Sequence, residues 1–338
     1  MADMCSTNRR SIAPALLVAW ALALPAAPAH AQRVEGSFQR TVTVTGPTSI
    51  DVTTGSGRIE VKPGPAGRVE ISGSIRADDR WGFGSRRLSA EERVRRIEAN
   101  PPVEQSGSTL RIGHIKDEAL REGVSISYTL TVPPDVNLKS NTGSGSQDID
   151  GITGDLDAHS GSGSLTIAKT GGAVRASTGS GGITAASVGG SFRATTGSGS
   201  IRATAVRGAI FAKSGSGGIE VTQDGSGDVE VSTGSGSVHL RGVRGGVQAS
   251  TSSGGLTIQG QLAGDWRLSS SSGSIRLSLP RSQGFELDAH SSSGHIETDF
   301  PVTVTGTVQR RTLRGSSQGG GPLLHVRTSS GGIAIKGS

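Results

Sequence analysis

The feature that most constrains this chain is a short glycine phrase that recurs at a nearly fixed interval. Its type copy is Thr196-Gly197-Ser198-Gly199-Ser200-Ile201, and successive copies follow at steps of eighteen to twenty-one residues up to Gly294. A period of this kind is typical of repeat proteins in which each unit contacts only its neighbours. The second glycine of the phrase lies at Gly145, Gly163, Gly181, Gly199, Gly217, Gly236, Gly254, Gly273, Gly294 and Gly331.

Each repeat predicts two short strands. Phe192 and Ala194 alternate with polar residues before the type phrase, and Ile201 and Ala203 alternate with polar residues after it. Alternation is the signal of a half-buried strand, and the 53 glycines disfavour helix. A disordered Gly/Ser linker is the alternative, but a linker does not place a branched aliphatic residue at a fixed offset from every turn.

We therefore predict an all-β fold, a single-chain β-solenoid (parallel β-helix) with coils of about 18 residues. Each strand is expected to pair in parallel with its equivalent one coil away, at about 4.8 Å. The turn glycines have two candidate reasons, a positive φ or close stacking of neighbouring backbones. The small inward residues predict a thin interior.

The first 31 residues are predicted to be a secretory signal peptide. Arg9 and Arg10 precede an apolar run from Ile12 to Leu24, and an A-x-A cleavage site ends at Ala31. The apolar run is short for a membrane span. We expect an exported mature chain that begins near Gln32, has no transmembrane anchor, and is located in the periplasm, at the cell surface or outside the cell.

Residues 32–140 are predicted to form an irregular β region that caps the solenoid of residues 141–338. An early copy of the phrase begins at Thr54, and the capping box that begins at Ser89 predicts one short helix to about Ile97. A cap is expected because a bare terminal coil exposes unpaired backbone groups. Pro301 to Gly321 interrupts the repeat and predicts an excursion before a final coil.

Two groups of acids and histidines are candidate sites. On outward strand positions, such carboxylates hold Ca²⁺ or perform acid–base chemistry in polysaccharide lyases and hydrolases. The first group is Asp148, Asp150, Asp155, Asp157 and His159, and the second is Glu286, Asp288, His290, His295, Glu297 and Asp299.

The pattern of outward residues favours a solvated face over a site. The equivalent outward position in successive coils reads Asp157, Arg175, Arg193, Phe211, Glu230, Gln248, Arg267 and Asp288, which mixes both charges. Phe211 is the one clear outward aromatic for sugar stacking. Calcium-binding nonapeptides need an Asp after the glycines, where this chain has Ser, Gly or His. We predict no catalytic, cofactor-binding or metal-binding residues and no enzyme activity.

Charge and cysteine content exclude further classes. The formal net charge is +6, but the arginines are scattered among acids, so no nucleic-acid partner is expected. The single cysteine, Cys5, lies in the predicted signal peptide, and the mature chain would therefore have no disulfide.

Three stretches resemble the bacterial putative-adhesin family of β-strand repeats, first catalogued as a domain of unknown function. They read IDVTTGSGRIEV, VSISYTLTVPPDVNLKSNTGSGS and GGGPLLHVRTSSGGIAI. The resemblance covers nearly all of the mature chain and implies an exported, envelope-associated, non-catalytic solenoid with an adhesin-like, scaffolding or envelope-stress role. The expected partner is an envelope component, polysaccharide or protein. The alternative function is that of a carbohydrate-active β-helix enzyme.

Overall fold

The computed structural model describes residues 33–78, 88–304 and 311–338, and the predicted signal peptide lies outside these ranges. Within them the all-β prediction is confirmed, with twenty-seven strands and two short helices. The N-terminal elements are β1 Val34–Thr43, β2 Ser49–Thr54, β3 Ile59–Pro63, β4 Arg68–Ala77, α1 Ala90–Ala99, β5 Val103–Ser106, β6 Thr109–Ile112, α2 Glu118–Arg121 and β7 Val124–Val132.

The regular repeats follow as alternating strands of about five residues. They are β8 Asn137–Thr142, β9 Gln147–Asp150, β10 Leu156–Ser160, β11 Leu165–Thr170, β12 Val174–Thr178, β13 Ile183–Val188, β14 Phe192–Thr196, β15 Ile201–Val206, β16 Ile210–Ser214, β17 Ile219–Gln223 and β18 Val229–Thr233. The C-terminal strands are β19 Val238–Thr251, β20 Leu256–Ser270, β21 Ile275–Leu279, β22 Phe285–Ser291, β23 Ile296–Thr298, β24 Val302–Val304, β25 Thr312–Ser317, β26 Leu323–Thr328 and β27 Ile333–Gly337.

The repeats form two parallel ladders, and the pairing follows the predicted period. In the first ladder Leu156 pairs with Val174, eighteen positions later, and Val174 pairs with Phe192. In the second ladder Ile183 pairs with Ile201 in the same way. The first ladder contains β8, β10, β12, β14, β16, β18 and the ends of β19 and β20, and the second contains β9, β11, β13, β15, β17, the starts of β19 and β20, and β21.

The core lies between the two ladders. Every second residue of a repeat strand is buried, with large residues such as Phe192 and Ile201 next to small ones such as Ala194 and Ala203. Trp266 is the largest fully buried side chain, and its indole N–H donates to a carbonyl oxygen, that of Gly245, at 2.9 Å. That bond satisfies the ring's polar atom inside an apolar interior.

A buried hydroxyl precedes each glycine phrase and connects neighbouring coils. Thr196 Oγ1 donates to the carbonyl of Gly181 at 2.9 Å and accepts the N–H of Gly199 at 3.1 Å. One side chain therefore closes its own turn and bonds to the preceding coil. The same pair of bonds is made by Thr142, Ser160, Thr178, Ser214, Thr233, Thr251, Ser270, Ser291 and Thr328.

Close stacking is the reason for the second glycine of the phrase. A Cβ at Gly199 would lie 1.9 Å from the carbonyl oxygen of Gly181, and the residue does not have a left-handed φ. Left-handed backbone is found instead at Lys169, Ser187 and Ala205, near the ends of second-ladder strands.

The N-terminal region caps both ladders. The coil formed by β2 and β3 stacks on β8 and β9, and its other side pairs with β6 and β7. Beyond these, β7, β4 and β1 pair antiparallel, as do β5 and β6. Helix α1 packs against β1 and β4. The Ser89 hydroxyl accepts the N–H of Glu92 at 3.2 Å, as the capping box predicts, and the helix extends to Ala99.

The C-terminal coil does not occupy the end of the ladders. Strand β26 lies between β20 and β22, and β27 lies between β21 and β23. The predicted excursion contains β24 and β25, which pair antiparallel with each other, and β25 also covers the outer edge of β22. The sequence order therefore differs from the spatial order by one coil at this end.

Candidate functional site: a cationic cleft at the N-terminal cap

The first acidic group does not converge. Asp148 lies on the second ladder and pairs with Arg58 at 3.3 Å, whereas Asp157 lies on the first ladder, 2.7 Å from the His159 ring nitrogen. The two remaining acids also make local contacts. Asp150 pairs with Lys169 at 3.3 Å, and Asp155 accepts the N–H of Ala173 at 2.9 Å.

The second acidic group also divides between the ladders. Asp288 accepts a hydrogen bond from Arg314 Nε at 2.9 Å and lies 3.2 Å from His325 Nδ1. Burial alone would raise the pKa of Asp288, but the hydrogen bond and charge of Arg314, with the nearby His325 and Arg327, outweigh it and lower the pKa. On the second ladder, the carboxylate of Asp299 accepts the N–H of Gly337 at 3.4 Å.

The other members of the second group do not join Asp288 in a cluster. The His290 ring is 3.0 Å from the Thr312 hydroxyl, and Glu297 is on β23 of the other ladder, preceded by His295. Across the described residues, no three His, Cys, Asp or Glu side chains are placed to hold a metal ion. Nor does that part of the chain contain a helix long and apolar enough to cross a membrane.

The outward aromatic is already partnered. The guanidinium carbon of Arg193 lies 3.9 Å from the centroid of the Phe211 ring, which is cation–π geometry. One face of the ring is therefore covered by a neighbour from the adjacent coil, and Phe211 is a poorer sugar-stacking candidate than its sequence position suggests.

The structure instead opens a cleft of about 920 Å³ at the N-terminal cap, which the sequence did not indicate. It lies over the turn of the earliest glycine phrase, Thr54 to Gly57. On the first ladder β6 ends at Ile112, opposite Val52, and the chain turns away at Gly113 with φ +83°. The glycine turn that a further coil would place there is replaced by the loop and short helix between β6 and β7.

The backbone of this outermost turn is left uncovered on one side. In the next coil the N–H of Gly143 donates to the carbonyl of Thr54 at 3.2 Å, and the N–H of Ser144 donates to that of Gly55 at 3.1 Å. The N–H groups of stacked turns therefore point towards the N-terminal end. Within the described ranges, those of Gly55 and Ser56 have no acceptor, and a Cβ added at Gly55 would have nothing within 4 Å.

Cations predominate around the cleft. Its lining carries five Lys or Arg side chains against two acids, a formal balance of +3. Two of the cations have carboxylate partners, Arg76 with Glu35 at 3.2 Å and Lys116 with Glu104 at 2.9 Å. The remaining three make no ion pair with any described residue: Arg33, Arg111 and Arg121.

Tyr128 lines the cleft with a buried hydroxyl that has no hydrogen-bond partner among the described residues. The residue is 1% exposed, its ring contacts Phe38 edge to face at 6.3 Å, and burial raises the pKa of its phenol. The hydroxyl is therefore neutral and able to donate. Beside it, His114 Nε2 lies 3.5 Å from Asp51 Oδ1.

Sequence reasoning missed this site because its residues come from separate segments. The available signals were the loss of the repeat between Thr109 and Val124 and the presence of one tyrosine in the whole chain, at an inward position of a strand. Neither signal says which turn is left uncovered.

One protein-family model matches part of the chain. Residues 172–336 match the family model described as Toastrack DUF4097, which confirms the resemblance to a domain family of unknown function over that part of the chain. No curated protein matched the chain.

Two solved structures are similar at low sequence identity. One is described as a putative adhesin from Bacteroides fragilis NCTC 9343, with 13% identity over 90% of this chain and 97% of that one and a TM-score of 0.33. The other is described as a putative cell adhesion protein from Clostridium sporogenes ATCC 15579, with 11% identity over 90% of this chain and 100% of that one and a TM-score of 0.20. Both TM-scores are too low for the likeness to bear on fold or function.

Proposed function

We propose, on the premise that residues 172–336 are a Toastrack DUF4097 domain, that this is an exported, non-catalytic protein of the cell envelope with an adhesin-like or scaffolding role. In this proposal residues 1–31 are a signal peptide, residues 32–140 are the cap, and residues 141–338 are a β-solenoid of the parallel β-helix type. An envelope-stress role fits the same arrangement, because a rigid rod can present a binding surface to a partner.

The observation that supports a binding role best is that the candidate acidic side chains are engaged by neighbours and do not converge on one site. Asp148, Asp150, Asp155 and Asp288 each hold a neighbouring arginine, lysine or backbone N–H, and the two acidic groups are divided between the ladders. Paired carboxylates that act on a sugar must flank one bond at a short separation. These four acids instead contact neighbouring coils or strands.

The outward faces of the ladders offer the surface for a partner. They present alternating polar residues over many coils, whereas the inward positions are filled by apolar side chains. A polysaccharide or protein of the envelope would lie along several coils, and its affinity would come from many weak contacts.

The location and the binding can be tested separately. For location, the host is fractionated and the N-terminus of the protein is determined by mass spectrometry. We expect a start at or near Gln32 in the exported fraction, and an intact Met1 start on cytoplasmic material would contradict export.

For binding, the mature protein is immobilised and exposed to envelope polysaccharide and envelope protein extracts, followed by a turnover assay. We expect retention of a component without chemical change. Cleavage of a polysaccharide in the presence of Ca²⁺, abolished by replacing Glu286, Asp288 and His290 together while the protein stays folded, would instead establish the carbohydrate-active alternative.

A further inference from the structure

We infer that the cleft of the N-terminal cap binds an anionic small molecule, one that presents a carboxylate or phosphate group to the turn at Gly55 and Ser56. This inference rests on the proposed function: the cleft would be a defined ligand site of a non-catalytic binding protein.

The first support is the oriented backbone of the outermost turn. Each later copy of the turn donates its N–H groups to the carbonyls of the coil before it, as Ser144 does to Gly55 at 3.1 Å. The N–H groups of Gly55 and Ser56 have no described acceptor and face the cleft that replaces the missing coil. Successive backbone N–H groups directed at one concavity form an anion-binding arrangement.

The second support is the unbalanced charge around the same turn. Arg33, Arg111 and Arg121 line the cleft and pair with no described carboxylate. The two lining acids are Glu104, which is engaged by Lys116 at 2.9 Å, and Asp78, and they leave the five lining cations a formal balance of +3. Guanidinium groups match carboxylate and phosphate oxygens in planar, two-pronged geometry, so the free arginines favour an anion that carries such oxygens.

The third support is Tyr128, and it does not depend on the charge of the cleft. Its hydroxyl is buried and neutral in a wall of the cleft, and no residue in the described part of the chain hydrogen-bonds to it. Leaving a buried polar group unpaired is unfavourable, and native structures rarely retain one without a reason. An oxygen of a bound anion would accept the hydrogen bond that the protein itself does not complete.

The size of the cleft indicates more than a bare ion. About 920 Å³ is within the range of pockets that enclose organic molecules, whereas a single phosphate fills only a small part of it. The ligand is therefore expected to be an organic acid or phosphate ester, and the two sources are separated by the probes below.

The single tyrosine gives a direct test. In the mature chain, tyrosine labelled with ¹³C in the ring yields signals from Tyr128 alone, because the sequence contains one tyrosine. The protein is titrated with glucuronate, with inorganic phosphate and with glucose as the uncharged control. We expect a saturable shift of the Tyr128 signal with glucuronate, with phosphate or with both, and none with glucose. A response to glucuronate alone assigns a carboxylate ligand, and a response to phosphate alone assigns a phosphate ligand.

Charge variants localise the effect. Arg111→Gln and Arg121→Gln should each weaken anion binding about tenfold, since each removes one charge-assisted hydrogen bond. Arg175→Gln is the matched control, because Arg175 is an exposed strand arginine of the first ladder with no ion pair among the described residues. No saturable shift with either anion, or the same loss in all three variants, would overturn the inference.

Tyr128→Phe provides a second, opposing readout. Removing a buried hydroxyl without a partner should raise the Tm of the free protein, yet weaken anion binding measured by calorimetry. A purely structural residue would change the Tm and the anion affinity in the same direction.

The cleft inference and the proposed function can fail separately. If envelope binding persists while no anion titration shows a saturable shift, the cleft inference fails and the proposed function stands. If the mature protein binds anions at the cleft but retains no envelope component, the cleft inference stands and the proposed function fails.

Discussion

At the scale of single residues, this fold depends on a buried hydroxyl and on the second glycine of each turn, which every copy of the phrase keeps. The hydroxyl is buried, donates to the coil before it and accepts from its own turn, so it is fully used. The glycines allow neighbouring turns to stack at backbone contact distance. Both requirements come from the same close approach of successive coils. The phrase exchanges Ser for Thr but always keeps its second glycine, whereas its first glycine is replaced by serine at Ser252, Ser271, Ser292 and Ser329.

Two substitutions at Thr196 test the role of the buried hydroxyl. Thr196→Val keeps the shape of the side chain but leaves the Gly199 N–H and the Gly181 carbonyl without their partner, and we expect a loss of about 1–3 kcal/mol in the free energy of unfolding. Thr196→Ser keeps both bonds and should cost less than about 1 kcal/mol. Denaturant unfolding of the two variants measures the difference, and equal losses would contradict the bridging role.

The first glycine of the phrase offers a matched pair. A Cβ at Gly197 would lie 2.4 Å from the carbonyl oxygen of Gly179, whereas a Cβ at Gly55 would have nothing within 4 Å. We expect Gly197→Ala to cost about 1–3 kcal/mol through overpacking, and Gly55→Ala to change stability by less than about 0.5 kcal/mol. Thermal unfolding of both variants is the measurement, and similar costs at the two positions would show that stacking is not the reason for the glycine.

At the scale of elements, the two ends of the ladders are closed differently. The N-terminal end is covered by antiparallel strands β7, β4 and β1 and by α1, which leave the cleft beside them. At the C-terminal end β25 covers β22, and the contact between Asp288 and Arg314 at 2.9 Å joins these two strands. Asp288 thus belongs to an end cap, a structural role for a residue that the sequence offered as an acid–base candidate.

The lowered pKa of Asp288 predicts that the stability of the protein depends on pH in the acid range. Its pKa is lowered in the folded state, so its contribution to stability is present at neutral pH and is lost as the pH falls below the ordinary value of 3.8 and through the folded value. Asp288→Asn, which cannot ionise, should be about 1 kcal/mol less stable than the wild type at pH 7, and the difference should shrink in acid. Thermal unfolding across the acid range measures it.

Asp148→Asn is the control for that experiment. The ion pair of Asp148 with Arg58 is exposed on both sides, at 45% and 60% of the side-chain surfaces, and should be worth less than about 0.5 kcal/mol. A difference between Asp288→Asn and wild type that stays constant down to strongly acid pH would contradict the assigned role.

At the scale of the whole molecule, we expect stability to be distributed along the two ladders, because each repeat strand pairs with its equivalents in the neighbouring repeats. Leu156 pairs with Val174 and Val174 with Phe192, so a coil can be removed if the strands on both sides still meet their equivalents. The two ladders alternate along the chain, which makes the length of a deletion as important as its position.

A pair of deletions tests this. Removing residues 181–216 takes out two whole coils and brings Gly217 to the position of Gly181, so we expect a folded, shorter rod. Removing residues 181–207 takes out a coil and a half and places a first-ladder strand where a second-ladder strand belongs. Circular dichroism and thermal unfolding should show β structure and a cooperative transition for the first variant only. Comparable behaviour of both would contradict the two-ladder arrangement.

The local sequence determined the period, the two strands of each repeat and the inward positions, because alternation and the glycine phrase are local patterns. Phe192, Ala194 and Ile201 are buried as their alternation predicts, and Ser89 caps α1. Thr196 continues the alternation of Phe192 and Ala194 and is therefore inward, but only the stacked coils reveal that its hydroxyl bonds to two turns.

Tertiary structure alone decided the order of the last coils and the existence of the cleft. Every coil carries the same alternation, so the pattern of β26 does not distinguish a place beyond β22 from the observed place between β20 and β22. Likewise, nothing local to Gly55 shows that no further turn stacks on it, because an unpaired N–H depends on where a distant segment leaves the ladder, here at Gly113. Strand partners are chosen by which ladder edge is open, and that is a property of the assembled fold.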